Sequence, residues 1–261
     1  MTAGPTRSLV VVDFDGTLAP IVDDPATSRP AVGAIEALQA LVRNGFQIAV
    51  ITGRGAETVI ELGSLDGVPG IEVLGQYGAE RYRSGVLEAT QPRAGIAAVR
   101  AALPGVLADA DGAVWVEDKR LSLVVHTRRC ADPRAQEVML TPSLIALAET
   151  NGLQANAGRH VIEIRPPGID KGAALRRLVA DYRPAAVLYA GDDVGDLPAF
   201  AAIAAIRAEG IPGIAVCSAS AEAAAVAVAA DLVVDGPDAV VDLLGALAAA
   251  TTTPRSQGVD Q

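Results

Sequence analysis

Val10-Val11-Val12-Asp13-Phe14-Asp15-Gly16-Thr17-Leu18 decides the fold: an unbroken apolar run ends in two carboxylates and a glycine. Residues 8–12 are few and β-branched, which favours a strand over a helix, and Gly16-Thr17 supplies the backbone freedom to turn out of a sheet. Side chains alternate along a strand, so Asp13 and Asp15 are expected on one side with Phe14 on the other. Two carboxylates in one small volume repel each other, and a divalent cation, a shared proton or both relieve them. Mg²⁺ takes carboxylate, carbonyl and water oxygens and is commonly held by one or two carboxylates plus a substrate phosphate, so the pair is a candidate magnesium and phosphate site. The blander reading of an isolated D-x-D is an exposed capping turn. The apolar run directly before it argues against that reading.

Downstream, residues 31–44 carry apolar side chains at helical spacing and Gly45 stops them; residues 46–51 form a second apolar strand that ends in Thr52-Gly53-Arg54. Strand, helix, strand implies a parallel sheet, and in open parallel sheets ligands gather beyond the carboxyl ends of the strands. Thr52 and Asp13 are therefore expected at one edge. After a third strand at 71–74 the pattern changes to alternating strands, at 78–89, 113–118, 121–127, 153–156 and 160–165, interleaved with helices at 93–107 and 133–151. This is α+β sequence set inside α/β sequence. From Ile169 the βα rhythm returns: a helix from Lys171, a strand at 186–190 running into Gly191-Asp192-Asp193, then further helices and short strands to about residue 249. The expected organisation is a core of residues 1–78 and 168–249, an inserted cap of 79–167 and a disordered polar tail of 250–261.

Composition narrows the function. The 261 residues are 51% hydrophobic but only 3% aromatic, so Ala, Val, Leu and Ile must build the interior, which suits helices packed on a sheet. A formal net charge of −10 disfavours nucleic acid as a partner, because polyanion binding relies on Lys and Arg displacing counterions. Two cysteines exclude a disulfide scaffold and a cysteine-rich zinc cluster. No signal-like segment opens the chain and no apolar stretch is long enough to span a bilayer, so the expectation is a cytoplasmic protein with no membrane partner; a monomer is expected as well, although no residue pattern sets the oligomeric state.

The core strands end in groups suited to phosphate or metal: Asp13 and Asp15, then Thr52, then Asp192 and Asp193, with Lys171 opening a helix just after the insert. A Mg²⁺ held by Asp13 and Asp192, with a phosphoryl group bridged to Thr52 and Lys171, would be charge-balanced and reachable from one sheet edge, as phosphoryl transfer requires. Each feature alone is weak, since a Lys at a helix start is usually a solvated surface residue and Thr-Gly after a strand usually caps a helix. Their joint order is far less common by chance.

These four segments, in order, resemble the motifs of the haloacid dehalogenase superfamily: Asp13-Phe14-Asp15-Gly16-Thr17, Thr52, Lys171 and Gly191-Asp192-Asp193. Within it the chain is similar to trehalose-6-phosphate phosphatases through residues 13–22, 51–54, 116–126, 161–172 and 191–200. The resemblance implies a Rossmann-like α/β core with an inserted α/β cap domain. It implies a Mg²⁺-dependent phosphatase that hydrolyses trehalose 6-phosphate through an aspartyl phosphate. Asp13 would be the nucleophile, Asp15 the general acid and base, and Thr52 and Lys171 phosphate partners. Mg²⁺ would be held by the Asp13 carboxylate, the Asp15 backbone carbonyl and Asp192, with Asp193 and Asp196 supporting. Arg54 joins the substrate-binding candidates, and Glu117, Lys119 and Glu163 match positions that contact the sugar, with Arg128, His126 and Arg165 behind them. Two departures stand out: Gly75-Gln76-Tyr77-Gly78 where many members have His-Gly, and Gly195-Asp196 where the fourth motif often continues with Thr-Asp.

Three alternatives compete. Another sugar or polyol phosphatase would share the core and differ only in cap residues. A phospho-acceptor signalling module also gathers Asp, Thr and Lys around Mg²⁺, but it has no large insert and gains nothing from a base at Asp15. A catalytically quiet sugar-phosphate binder would be insensitive to Asp13→Asn.

Overall fold

The computed structural model describes residues 8–158, 160–219 and 224–252. In chain order the strands and helices are β1 (Leu9–Val12), α1 (Ala34–Arg43), β2 (Gln47–Ile51), α2 (Ala56–Gly63), β3 (Glu72–Leu74), β4 (Glu80–Arg83), β5 (Val86–Ala89), α3 (Ala94–Val106), β6 (Trp115–Asp118) and β7 (Leu123–His126). There follow α4 (Pro133–Thr150), β8 (Gln154–Gly158), β9 (Val161–Arg165), α5 (Lys171–Tyr182), β10 (Val187–Gly191), α6 (Leu197–Ala208), β11 (Gly213–Ser218), α7 (Ala224–Ala229), β12 (Leu232–Val234) and α8 (Gly236–Thr252). The chain divides into two compact units, one running to Glu88 and resuming at Asp170, the other Ala89–Ile169.

The larger unit is an α/β sheet in the order β12-β11-β10-β1-β2-β3-β4-β5. From β12 to β3 every pairing is parallel. β1 lies at its centre because it is buried on both faces: Val10 and Val12 join a core with residues of α1, α2 and α8, while Leu9 and Val11 join another with residues of α5 and α6. A four-residue strand with no exposed side chain has no solvent face to offer, which is the reason for its unbroken apolar run. The chain leaves β1 for β2 on one side and returns as β10 on the other, so the β1/β10 boundary is where the strand order reverses. Ligands of such sheets bind at that point, beyond the strand C-termini. The register pairs Val12 with both Ala190 and Val50, so Asp13, Asp192 and Thr52 all emerge at this edge.

The smaller unit is an antiparallel sheet, β6-β7-β9-β8, with α3 and α4 covering one face. Alternation sorts its side chains: Leu123, Val125, Ile162 and Ile164 enter the core with Ile96, Val99, Leu140 and Leu144 of the helices. The intervening positions carry the polar residues of the other face.

The structure corrects two boundaries. The expected cap began at residue 79, but the β4–β5 hairpin belongs to the core sheet, where β4 pairs antiparallel with β3 (Glu72 opposite Arg83, Val73 opposite Tyr82). Electrostatics fastens it: fully buried Glu72 is paired with Arg81 at 2.7 Å and Arg83 at 3.0 Å, and Arg81 reaches Asp181 of α5 at 2.6 Å. Residues 250–252, expected in the tail, are instead the last turn of α8, which runs to Thr252. Asn44 at the end of α1 donates to the Ala248 carbonyl at 2.7 Å and to Thr251 at 3.2 Å, which holds that last turn. Residues 253–261 lie outside the described residues, as do four positions of the helix expected over 219–230.

Candidate active site

Asp13 follows directly on β1; its amide donates to the Ala190 carbonyl at 2.9 Å, so the end of the ladder sets its position. Its carboxylate, 5% exposed, lies 2.8 Å from the Lys171 ammonium, and that ammonium also lies 2.7 Å from Asp196. Lys171 is the first residue of α5, whose start is fixed by Asp170 accepting from the Ala173 amide at 2.8 Å. One oxygen from each of Asp13, Asp192 and Asp196 lies within 4.8 Å of the others, and all three residues are buried. Burial pushes the Asp13 carboxyl well above its usual range, against the pull of Lys171 and with Asp196, Asp192 and Asp193 adding to the rise. Asp192 is pushed up to about 7, first by burial and then by Asp196 and Asp193. Burial opposes the charge on Lys171 as well, but Asp13 and Asp196 outweigh it and hold the ammonium well above its ordinary range. Asp196 goes the other way: burial works against its charge, yet Lys171 and the hydrogen bonds around it keep it low.

Three carboxylates against one ammonium leave negative charge uncompensated, and these hard oxygen donors fit a divalent cation such as Mg²⁺. The candidate ligands divide unequally. Asp193, expected as a ligand, has a side chain 62% exposed and stands outside the trio; it accepts from the Gly195 amide at 2.9 Å and lies 3.9 Å from Lys171. Asp196 takes the inner position because the 3-10 turn Val194–Asp196 folds it back beneath the strand end. There its carboxylate accepts from the amides of Asp192 (3.0 Å) and Asp193 (3.1 Å), from Lys171, and from the Tyr189 hydroxyl (2.5 Å).

Asp15 turns to another partner. Arg54 forks onto it, Nε to Oδ2 and Nη2 to Oδ1, both at 2.6 Å, and Ser28 donates to Oδ1 at 3.3 Å. A bidentate guanidinium–carboxylate pair fixes direction as well as distance. Thr52, 1% exposed, follows β2, and its hydroxyl accepts from the Arg54 amide at 3.1 Å.

Gly16 makes the turn possible. Its φ is +75°, and a Cβ there would lie 2.1 Å from an Asp192 carboxylate oxygen. Gly16→Ala is expected to cost about 1–2 kcal/mol in backbone conformation alone, with a further cost for displacing Asp192. Equilibrium urea unfolding checks this, and an unchanged midpoint would refute the close approach.

In the smaller unit Glu117, Val124, Glu163 and Asn156 stand directly opposite one another across the four strands, so they form one row on the face away from the helices. Glu163, 8% exposed, accepts from Ser122 at 3.0 Å and lies 3.9 Å from Lys119 and 3.8 Å from Arg165. Glu117 pairs with His126 at 3.0 Å, and the His126 ring stacks on Trp115 with centroids 3.8 Å apart. The structure thus brings Glu117, Lys119, Glu163, His126 and Arg165 onto one face, while Arg128 is exposed in the segment after β7. Sequence reasoning missed Ser28 and Tyr189. No local pattern marks Ser28; Tyr189 is the one polar-tipped side chain in an apolar strand.

A doubly wound sheet with an inserted unit, acidic residues after β1 and β10 and a buried lysine at a helix start define the haloacid dehalogenase type of fold. A haloacid dehalogenase-like hydrolase from Bacteroides thetaiotaomicron superposes with a TM-score of 0.67 at 16% identity over 92% of this chain and 99% of that one. The C-terminal domain of Candida albicans trehalose-6-phosphate phosphatase superposes with a TM-score of 0.74 at 23% identity, over 94% and 93% of the two chains. The trehalose-phosphatase family model matches residues 11–237, and the chain belongs to that family. The trehalose-phosphate phosphatase of Mycobacterium marinum is 33% identical over 257 residues, covering 95% of this chain and 63% of that protein. That of Mycobacterium avium is 36% identical over 213 residues, 78% of this chain and 53% of that protein. The chain thus spans between half and two thirds of the length of these relatives.

Proposed function

We propose that this chain is a Mg²⁺-dependent phosphatase acting on trehalose 6-phosphate through an aspartyl-phosphate intermediate. The observation that carries the reading is Asp13, buried, 2.8 Å from Lys171 and grouped with the oxygens of Asp192 and Asp196. Asp13 and Asp192 would hold Mg²⁺, together with the Asp15 carbonyl, while Asp196, both of whose oxygens already accept hydrogen bonds, supports them from behind. The bound ion would supply positive charge to the transferring phosphoryl group.

The rest falls to this chain's own residues. A carboxylate oxygen of Asp13 attacks phosphorus as the bond to the sugar oxygen breaks, and Asp15, which must carry a proton on an oxygen that the Arg54 fork has released, gives that proton to the leaving oxygen. Asp15 then takes a proton from water, the resulting hydroxide attacks phosphorus, the bond to Asp13 breaks, and phosphate departs. Lys171 and Thr52 bind phosphoryl oxygens, and Arg54 orients Asp15 through its fork. Glu117, Lys119 and Glu163 bind sugar hydroxyls, a role supported by their place on a single polar face.

Phosphate release from trehalose 6-phosphate, sucrose phosphate, glucose 6-phosphate and p-nitrophenyl phosphate, with Mg²⁺ and with EDTA, tests the reading. Fast, EDTA-sensitive turnover of trehalose 6-phosphate is expected. Turnover of sucrose phosphate or glucose 6-phosphate with none of trehalose 6-phosphate would reject the substrate. Glu163→Gln is expected to raise KM for the disaccharide phosphate about 10-fold or more, the worth of a charge-assisted hydrogen bond, while p-nitrophenyl phosphate turnover holds.

A further inference from the structure

Two consecutive residues, neither of them glycine, hold left-handed backbone in the turn after β3: Gln76 at φ +46° and Tyr77 at φ +59°. Side chains disfavour this region, and such outliers persist only where surrounding contacts over-determine them. The contacts here all lead to one place. The Tyr77 amide donates to the Thr52 carbonyl at 2.9 Å, and the Gln76 amide donates to the Arg54 carbonyl at 2.8 Å. The left-handed pair lets two successive amides reach the carbonyls on either side of Gly53. The Tyr77 ring closes onto Gly53 itself, where a Cβ would stand 2.8 Å from the phenol oxygen and 2.9 Å from Cζ.

A second lock sits beside the first. Glu80, buried, accepts from the Ala56 amide at the start of α2 at 2.9 Å and from the Gln76 side chain at 2.7 Å. Gly75 approaches so closely that a Cβ would stand 2.3 Å from the Ala56 nitrogen. Residues 52–56 and 75–80 therefore interlock through backbone and side chain. The Arg54 backbone sets where its side chain starts, and the guanidinium at the other end grips Asp15 twice at 2.6 Å and the Pro25 carbonyl at 2.6 Å.

We propose that Tyr77 is a positioning residue: through its turn and its ring on Gly53 it sets the place of Thr52 and Arg54, and through Arg54 that of Asp15. This rests on the phosphatase reading above. A turn that merely joined β3 to β4 would be relaxed by glycine at both left-handed positions. Here Tyr77 retains the strained conformation and spends its ring on the phosphate-binding loop.

Tyr77→Asn tests it, because asparagine tolerates left-handed backbone but has no ring to lay on Gly53. The variant is expected to melt within a few degrees of the wild type, yet to lose about 10–100-fold in kcat/KM, the scale set by small misplacements of reacting groups. The loss should be larger on a sugar phosphate, whose leaving oxygen needs the Asp15 proton, than on p-nitrophenyl phosphate, whose phenolate leaves without one. Inhibition by inorganic phosphate should weaken in parallel, and Tyr77→Phe, which keeps the ring, should restore most of the activity. Gly53→Ala pushes the same contact apart from the other side; combined with Tyr77→Asn it should cost no more than the worse single change. If Tyr77→Asn folds poorly, Gly53→Ala alone decides: a folded variant with the same larger loss on the sugar phosphate is expected, and wild-type kinetics on both esters would overturn the inference. A folded Tyr77→Asn with wild-type kinetics and phosphate inhibition, or fully additive losses in the pair, would overturn the inference alone. A wild type inactive on every ester would instead overturn the phosphatase reading and this inference with it.

Discussion

Asp13→Asn is expected to lower kcat by about 10⁴-fold or more, the scale on which nucleophile removal acts in covalent catalysis, while leaving the protein folded. The two halves of that prediction have separate causes. An amide cannot carry the phosphoryl group as an ester, so the first step has no nucleophile. Burial already works against a charge at this position, and Lys171 keeps Asp196 at 2.7 Å as its partner, so a neutral isostere loses one ion pair and escapes the desolvation cost. Thermal melting at or near the wild-type temperature, alongside single-turnover assays on p-nitrophenyl phosphate and trehalose 6-phosphate, checks both halves. Turnover at more than a few per cent of the wild-type rate would remove Asp13 from the reaction.

Lys171→Met should have the largest effect on stability. The ammonium is buried and bridges Asp13 at 2.8 Å and Asp196 at 2.7 Å, so its removal strips Asp13 of its ion pair and leaves Asp196 with only the hydrogen bonds from Tyr189 and two amides. Breaking a buried ion pair from one side costs about 3–5 kcal/mol, and a lower urea midpoint for the larger unit is the expected result. Saturating Mg²⁺ should recover part of the loss, because a cation bound to the Asp13 carboxylate compensates its charge. A midpoint equal to the wild type, with or without Mg²⁺, would mean that the pairings at Lys171 contribute nothing to the fold. Asp13→Asn and Lys171→Met thus separate chemistry from stability within a pair of residues that touch: one should be inactive and stable, the other unstable.

The site is partly legible in the sequence. An apolar run ending in Asp-Phe-Asp-Gly points to a buried strand with a polar end, and β1 and the place of Asp13 agree with that. The parallel order followed from helix-length connections between apolar strands, and the inserted unit from a change of period from continuous to alternating. Its edge is not legible, because the β4–β5 hairpin alternates like the strands of the insert. Alternation reports one covered face and one open face; it does not say which sheet the strand extends. Glu72 and its arginines, residues apart in sequence, decided that.

Residue order alone thus specifies which segments are buried, what chemistry stands at their ends and which family the motifs resemble. Tertiary structure decided the finer assignments: that Asp196 and not Asp193 turns inward, that Asp15 belongs to Arg54, and that Tyr77 lies on Gly53. The reason is one of range. Burial of a strand or helix is written in the periodicity of a few neighbouring residues. The direction of a carboxylate is set by whichever donor lies nearest in space, and here those donors, Lys171 for Asp13 and Arg54 for Asp15, come from distant parts of the chain.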